Sequence, residues 1–236
     1  MTRFRVLLVA LLVLLPAAQA LAQEAEPIEL DHSFGGGSAV LWVPDLSGLN
    51  SALDAAEYPA LPEAVLLLGQ TGTYGFADGP RFGFTLVGGQ AASSLGERIA
   101  RLGLTIGGGV LEWNVPAVGL SVGLMLGGGY ATLSLVDHAP TSFEDAIRIP
   151  FRAELEQWLY AIEPSIVAYG TPLAGVSLRL QVGYLFTIGR TWKAEEIAYR
   201  YPMEAFTGPT VEVSVEVRLE ELLADLIPPL PEEGET

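Results

Sequence analysis

The fold is decided by the stretch VGLSVGLMLGGGYATLSLV, residues 118–136, in which bulky and small side chains alternate. The bulky residues of one parity are Val118, Leu120, Val122, Leu124, Leu126, Tyr130 and Val136. The small residues of the other parity are Gly119, Ser121, Gly123, Gly127, Gly129 and Ala131. Successive side chains of a β-strand point to opposite faces, whereas a helix has a longer period and disfavours repeated glycine. The stretch is therefore predicted to be a long strand with one bulky apolar face and one nearly bare face.

The same alternation recurs along the chain and predicts eight strands. They cover residues 38–43, 64–76, 82–91, 99–112, 118–136, 154–169, 175–188 and 209–219. Pro44 ends the first strand, because proline has no N–H to donate to a neighbouring strand. A short helix over residues 46–56 is predicted in the first long connection, with Asp45 as its N-cap. The apolar stripe of this helix would consist of Leu46, Leu49, Leu53 and Ala56.

The connections between the predicted strands fall into two groups. Three are short, at residues 77–81, 113–117 and 170–174, and the generally longer ones span 44–63, 92–98, 137–153 and 189–208. In an up-and-down meander the two groups lie at opposite ends of the sheet, which is the asymmetry of transmembrane β-barrels. The chain is therefore predicted to be all-β: an up-and-down antiparallel β-barrel of about eight strands with a short helix in the first long loop.

The composition excludes several classes of function. The chain has 12 basic and 28 acidic residues, a formal net charge of −16, whereas a nucleic-acid partner needs a basic surface. Cysteine is absent, which excludes disulfides and thiolate metal sites. The two histidines, His32 and His138, are far apart in the sequence and lack clustered metal ligands. We therefore predict no nucleic acid, no metal ion and no cofactor.

The N-terminal sequence predicts export. Arg3 and Arg5 precede the apolar run VLLVALLVLL at residues 6–15, and small-residue cleavage sites follow within residues 18–22. The alternative is a membrane anchor helix, but the apolar run is short for a span of about 20 residues. The predicted organisation is a signal peptide over residues 1–22, an acidic lead-in over 23–34, a barrel domain over 35–219 and an acidic tail over 220–236.

Aromatic residues cluster near both ends of the predicted strands, as interfacial girdles do. The candidates for a membrane-interface position are Trp42, Tyr74, Phe76, Phe82, Phe84, Trp158 and Trp192. Trp113 falls on the opposite parity of its strand, so it needs a bulge or points inward. With the bulky face turned toward lipid, residues 35–219 resemble the small bacterial outer-membrane β-barrel proteins.

This resemblance implies an outer-membrane location, with the lipid bilayer as the partner. The chain departs from the common pattern of such proteins at one point. Their last strand commonly ends on an aromatic residue, whereas here residues 220–236 follow the eighth predicted strand.

Polar residues on the inward parity of the seventh and eighth predicted strands are the candidates for the barrel interior. They are Arg179, Gln181, Glu212, Glu216 and Arg218. These side chains would either line a lumen that selects solutes or form a charge network that fills a narrow barrel. The interior of an eight-stranded barrel is just wide enough for side chains to fill it or for one small ligand, which favours the charge network.

No catalytic group of residues is predicted, so we expect a protein that is not an enzyme. Residues 119–123 match the G-x-S-x-G nucleophile elbow by letter, but that motif requires a sharp turn between a strand and a helix. Here the five residues lie within one predicted strand.

Two functions remain open, and the sequence predicts no oligomeric state for either. The first is an integral outer-membrane β-barrel with a structural, adhesive or minor pore role, for which a small solute or a lipid would be a further partner. The second is a secreted or periplasmic soluble β-barrel that binds a small apolar ligand. The glycine, serine and threonine residues of the small face favour the first, since a soluble exterior normally carries mixed charge.

Overall fold

The structure is a computed structural model, and it describes residues 35–75, 80–115, 118–137, 144, 152–173, 175–189, 191–194, 197–199 and 206–217. The predicted signal peptide, lead-in and acidic tail lie outside these residues, as do Phe76 and Arg218. Within the described part of the chain, no helix has the length and apolarity that a membrane-spanning helix requires.

Eight long antiparallel strands form a closed barrel, as the alternating sequence predicts. These strands are β1 (Gly36–Trp42), β2 (Val65–Gly75), β3 (Pro80–Leu95), β4 (Arg98–Val115), β5 (Leu120–Val136), β6 (Arg152–Leu173), β7 (Val176–Gly189) and β10 (Gly208–Val217). Consecutive strands pair with each other, β7 pairs with β10, and β10 closes the barrel on β1. Closure leaves no free strand edge, so backbone groups on every strand have a neighbour to bond.

Two smaller elements accompany the barrel. The helix α1 (Ser47–Ala55) lies in the connection between β1 and β2, where the sequence predicts it. A short hairpin of β8 (Trp192–Ala194) and β9 (Ile197–Tyr199) lies between β7 and β10 and extends the sheet from β6. The sequence reasoning did not predict this hairpin, because three-residue strands are too short to show an alternating pattern.

The two ends of the barrel differ, and we call them the turn end and the loop end. The turn end carries the connections at residues 76–79, 116–119 and 174–175, and the loop end carries those at 43–64, 96–97, 137–151 and 190–207. The connection predicted at residues 92–98 is much shorter than expected, because Leu95 pairs directly with Arg98. Gly96 has a φ of +62° there, a left-handed conformation that glycine adopts without steric cost and that two-residue hairpin turns require.

The start of α1 also differs from the prediction. Leu46, and not Asp45, occupies the N-cap position, and no side chain caps the helix. The backbone N–H of Ser47 instead donates to the Asp45 carboxylate over 3.1 Å. Aspartate commonly bonds the backbone two residues further on in this way, so Asp45 orders the turn before the helix and not the helix itself.

The bulky face of a strand does not always point outward. On β5, Val122, Leu124 and Leu126 are exposed on the outside of the barrel, as predicted. On β4 the assignment is reversed, because the bulky residues Leu102 and Ile106 are buried inside and the small residues between them face outward. The bulky parity of a single strand therefore does not identify the outer face.

This reversal explains Trp113, for which the sequence predicts a bulge or an inward side chain. Both predictions are wrong. Trp113 is 53% exposed on the outer surface, and it pairs in unbroken register with Pro80 on β3 and Val122 on β5. Trp113 lies on the outward parity of β4 simply because the bulky residues of that strand occupy the inward parity.

The barrel interior has two layers. The apolar layer lies toward the loop end and includes Val40, Trp42, Val65, Leu67, Val87, Leu102, Leu104, Ile106, Met125, Leu133, Leu159 and Leu185. Leu46 and Leu53 of the α1 region close it from above and are almost fully buried. The polar layer lies toward the turn end and includes Ser38, Thr71, Thr73, Arg81, Glu112, Ser121, Glu163, Ser165, Ser177, Arg179, Gln181, Glu212, Ser214 and Glu216. The polar layer is the part of the interior that the sequence marks as a candidate site.

Candidate functional site in the barrel interior

Four of the five predicted interior residues lie where the sequence places them. Arg179 and Gln181 on β7, and Glu212 and Glu216 on β10, are buried on the inner face of the wall. The register between the two strands sets Glu212 directly opposite Gln181. Alternation alone was sufficient to find these residues, because both strands carry a regular row of apolar residues on the opposite parity. The fifth, Arg218, lies outside the described residues.

Arg179 is the centre of the polar layer. Its Nη2 and Nε donate to Oε1 of Glu112 over 2.6 and 3.1 Å, so that the guanidinium reaches across the barrel from β7 to β4. Nη2 also donates to the side-chain oxygen of Gln181. Nη1 forms an ion pair with Oε1 of Glu212 at 3.3 Å. One buried cation thus connects three strands of the wall, with the planar donor geometry that suits arginine to buried ion pairs.

Glu163 forms the second part of the layer. Its Oε1 accepts hydrogen bonds from Nε2 of Gln181 over 3.2 Å and from the hydroxyl of Thr210. Gln181 therefore accepts from Arg179 with its oxygen and donates to Glu163 with its nitrogen. Gln181 and Glu163 together thus join β6, β7 and β10 into one hydrogen-bonded network.

A second buried guanidinium, that of Arg81, is linked to this network through Tyr169. The Arg81 guanidinium is stacked over the Tyr169 ring at 4.7 Å from the ring centre, a cation–π contact. The Tyr169 hydroxyl in turn donates to Oε2 of Glu112. Glu112 thus receives donors from both Arg179 and Tyr169, and Arg81 is linked to the cluster through the tyrosine.

Within the described residues, the polar layer holds more buried carboxyl groups than guanidinium groups. Four buried carboxyl groups, those of Glu112, Glu163, Glu212 and Glu216, accompany the two buried guanidinium groups of Arg81 and Arg179. Buried charge is costly unless it is paired and hydrogen-bonded, so the network around Arg179 is needed for the fold to tolerate this layer.

One small cavity lies between the two layers of the interior. The cavity between the apolar and the polar layer has a volume of about 20 Å³, and Trp42, Met125, Glu163 and Thr210 are among the residues that line it. Such a volume holds about one water molecule. The arrangement can therefore cross-link the wall, and this cavity is too small for a solute much larger than water. Nor does the described part of the chain hold three or more histidine, cysteine, aspartate or glutamate side chains in a metal-binding arrangement.

Sequence reasoning missed Glu112, Glu163 and Tyr169. Glu163 had a detectable signal, because it is the single carboxylate in the otherwise apolar stretch LYAIEPSIVAYG at residues 159–170 and it shares the parity of Ser165. Glu112 was hidden by the wrong face assignment for β4. Since the bulky parity of that strand was assigned to the outside, a glutamate on the same parity could not be recognised as an interior residue.

The predicted membrane-interface aromatics divide into two groups. Tyr74, Phe82, Phe84 and Trp158 are all exposed on the outer face of the barrel. Trp42 and Trp192 are only 0% and 8% exposed, so their assignment to the outer surface is corrected. Phe76 lies outside the described residues.

Each of the two buried tryptophans has a clear packing reason. Trp42 follows the outward-facing Leu41 on β1, so its side chain points into the apolar layer. Trp192 lies on the short hairpin and makes an edge-to-face contact with Phe206, with ring centres 6.1 Å apart. The side chains of Trp42 and Trp192 therefore both belong to the apolar core at the loop end.

Further aromatic residues complete two exposed groups on the outer surface. Near the turn end, Trp113 joins Tyr74, Phe82 and Phe84 on β2 to β4. Nearer the loop end, the exposed group on β6 and β7 consists of Trp158, Tyr160, Tyr184 and Phe186, and the half-buried Tyr130 of β5 packs beside it. Tyr130 and Trp158 are cross-strand partners whose rings meet edge to face at 5.3 Å.

No known protein-family model matches this sequence, and no curated protein is significantly similar to it.

Proposed function

We propose that this chain is an integral β-barrel of a bacterial outer membrane, and that its role is structural or adhesive and not that of an open pore. The observation that carries this proposal is the distribution of polarity across the barrel wall. Toward the turn end, buried charged and polar groups occupy the inside, while large apolar side chains such as Phe82, Leu124 and Ile166 cover the outside. A water-soluble barrel normally has the opposite arrangement.

The height of the outer apolar surface supports a bilayer. The outward row of β7 is apolar from Val176 to Ile188, and these two residues are twelve positions apart. At about 3.4 Å per residue and a tilt of about 40°, the row spans roughly 31 Å along the barrel axis. The hydrocarbon core of a bilayer is about 30 Å thick.

The charged outward residues support the same orientation. Arg101 on β4 and Glu154 and Glu156 on β6 are exposed near the loop end, beyond the level of Trp158. An aromatic group at each end of an apolar belt, with charged residues beyond it, is the pattern of a barrel that crosses a membrane. In this proposal the loop end projects from the membrane and carries the surface through which the protein acts.

The first experiment is extraction of isolated membranes with alkaline carbonate, followed by gel electrophoresis in SDS with and without heating. We expect the protein to stay in the outer-membrane pellet and to change mobility when it is heated, since a closed barrel in detergent unfolds only on heating. An integral outer-membrane protein and a soluble periplasmic protein serve as markers in the same fractions.

The alternative is a soluble barrel that binds a small apolar ligand. It would have to keep many large apolar side chains exposed to water, and such patches on soluble proteins are normally small. Recovery of the protein in the soluble fraction, or its release by carbonate, would reject the membrane proposal and favour this one.

A further inference from the structure

An apolar cleft lies at the loop end of the barrel, on its inner side. The cleft has a volume of about 380 Å³ and lies between α1 and the inner faces of β5 and β6, with the β8 hairpin beside it. Every residue that lines it is an alanine, a leucine or a tryptophan. The cleft is separate from the polar layer, which lies at the other end of the interior.

Small side chains create the space. The small lining residues are Ala52 on α1, Ala56 just after it, Ala153 on β6 and Ala194 on β8, while Leu53 of the helix both lines the cleft and packs into the core. A larger residue at any of the four alanine positions would occupy part of the volume. The cleft is therefore a consequence of these particular residues and not of the barrel fold alone.

Polar contacts hold α1 above the wall. The Asn50 amide donates to the carbonyl oxygen of Leu61 over 3.1 Å and accepts from its N–H over 2.8 Å. Just after the helix, Arg98 donates to Oε2 of Glu57 over 2.7 Å and to Oδ1 of Asp137 over 2.9 Å. Asn50 thus ties the helix to the segment that follows it in the same connection, and Arg98 ties Glu57, just after the helix, to the barrel wall. These tethers keep the cleft formed before any ligand arrives, which lowers the cost of binding.

The side chains that line the cleft determine which kind of ligand it can bind. A polar group placed against these side chains would lose its hydrogen bonds to water without replacement. Apolar cavities stay dry and take up hydrocarbon, and one of 150 Å³ accommodates benzene. By proportion, 380 Å³ accommodates on the order of 15 carbon atoms.

The residues next to the lining are charged and exposed. The side chains of Glu57 and Asp137 are 79% and 43% exposed, and Lys193 between Trp192 and Ala194 is exposed as well. A ligand with a hydrocarbon chain in the cleft can therefore keep a polar head in water at the mouth. We propose that the cleft binds the single hydrocarbon chain of a free fatty acid. This proposal does not depend on the membrane location, because the cleft lies inside the barrel wall.

The test uses palmitic acid that carries a photoreactive diazirine on its chain. The full chain is placed in lipid nanodiscs, or in buffer if it proves soluble, and is irradiated with the probe before the labelled peptides are mapped by mass spectrometry. A phospholipid with the same diazirine on one chain is used in parallel. We expect the fatty acid to label α1 and the inner residues Leu133 and Leu155, and the phospholipid to label at most the outer surface.

Two variants with the same added ring provide the matched comparison. Ala52→Trp fills the cleft, whereas Ala55→Trp places the ring on the exposed side of the same helix. We expect Ala52→Trp to reduce labelling at the inner residues at least fivefold and Ala55→Trp to leave it unchanged. The heat-dependent gel shift shows whether each variant is folded.

Three results would overturn the proposal. One is labelling of the unmodified chain that is confined to outer residues such as Leu126. Another is inner labelling that a folded Ala52→Trp variant leaves unchanged. The third is stronger labelling of the inner residues by the phospholipid than by palmitic acid. The mapping on the unmodified chain decides the question even if Ala52→Trp fails to fold.

Discussion

At the scale of single residues, Arg179 connects three other side chains of the interior, because it contacts Glu112, Gln181 and Glu212 at once. We expect Arg179→Met to lower the free energy of unfolding by about 3–5 kcal/mol, since it leaves buried carboxylates without their cation. The shift of the urea midpoint of the protein folded into lipid vesicles measures this loss.

The control for Arg179→Met is the same substitution at Arg101, which is exposed on the outer face near the loop end. Surface changes of this kind usually alter stability by less than about 0.5 kcal/mol. Addition of Glu112→Gln to the Arg179→Met variant should recover part of the loss, because it removes one of the uncompensated charges. Equal stability of Arg179→Met and the unmodified chain would show that these charges are hydrated and that the layer is not a closed network.

Residue-level predictions from the sequence succeeded where one parity of a strand was polar and the other was apolar. Arg179 and Glu212 lie on such strands, so their inward position follows from the alternation alone. Trp42 was wrongly assigned to the outer surface. Its position near the end of a strand indicates how far along the barrel axis the side chain lies, but not whether it points into the barrel or out of it. Its neighbour Leu41 was the better indicator, since two consecutive residues of a strand must face opposite sides.

At the scale of secondary-structure elements, β5 tests whether the outer face meets lipid. Leu126 lies midway along its outward row, between Val122 and Tyr130, and is exposed. In a bilayer, Leu126→Arg should destabilise the barrel by about 2–4 kcal/mol, because it places a charge near the midplane. Unfolding by urea from lipid vesicles measures the difference.

Ser94→Arg is the matched control for Leu126→Arg, since Ser94 faces outward on β3 beside the turn at the loop end. There the same charge lies near or beyond the interface and should cost about 0–1 kcal/mol. Similar small effects of both substitutions would mean that the outer face is in water, and the membrane proposal would be lost.

The order of the strands, the helix and most strand bounds were predictable from the sequence. Each strand has its own alternation of bulky and small residues, and the turns contain residues that end a strand. The face of β4 was not predictable, for a reason that lies in a neighbouring strand. A Cβ on the outward-facing Gly107 would approach Cδ1 of its cross-strand partner Leu86 to 2.9 Å. A side chain from β3 thus covers the bare outer surface of β4, and no pattern within β4 itself records that contact.

At the scale of the whole molecule, the barrel interior is blocked by two different layers of side chains. Below the apolar cleft at the loop end, the apolar layer occupies the interior, and toward the turn end the network around Arg179 occupies it. An ion that crossed the barrel would need to pass both, and the cavity between them holds about one water molecule. Open porins, in contrast, have many more strands and a water-filled lumen.

Because the apolar layer and the polar layer both block the interior, we expect the barrel to conduct no steady ionic current. In a planar lipid bilayer with salt on both sides, the reconstituted protein should leave the conductance at the level of the bare membrane, while a porin that is inserted under the same conditions gives discrete steps. Insertion must be confirmed independently, by protease protection of the reconstituted protein. Steps of uniform size from inserted protein would contradict the closed interior and would return the polar layer to the role of a solute-selecting lining.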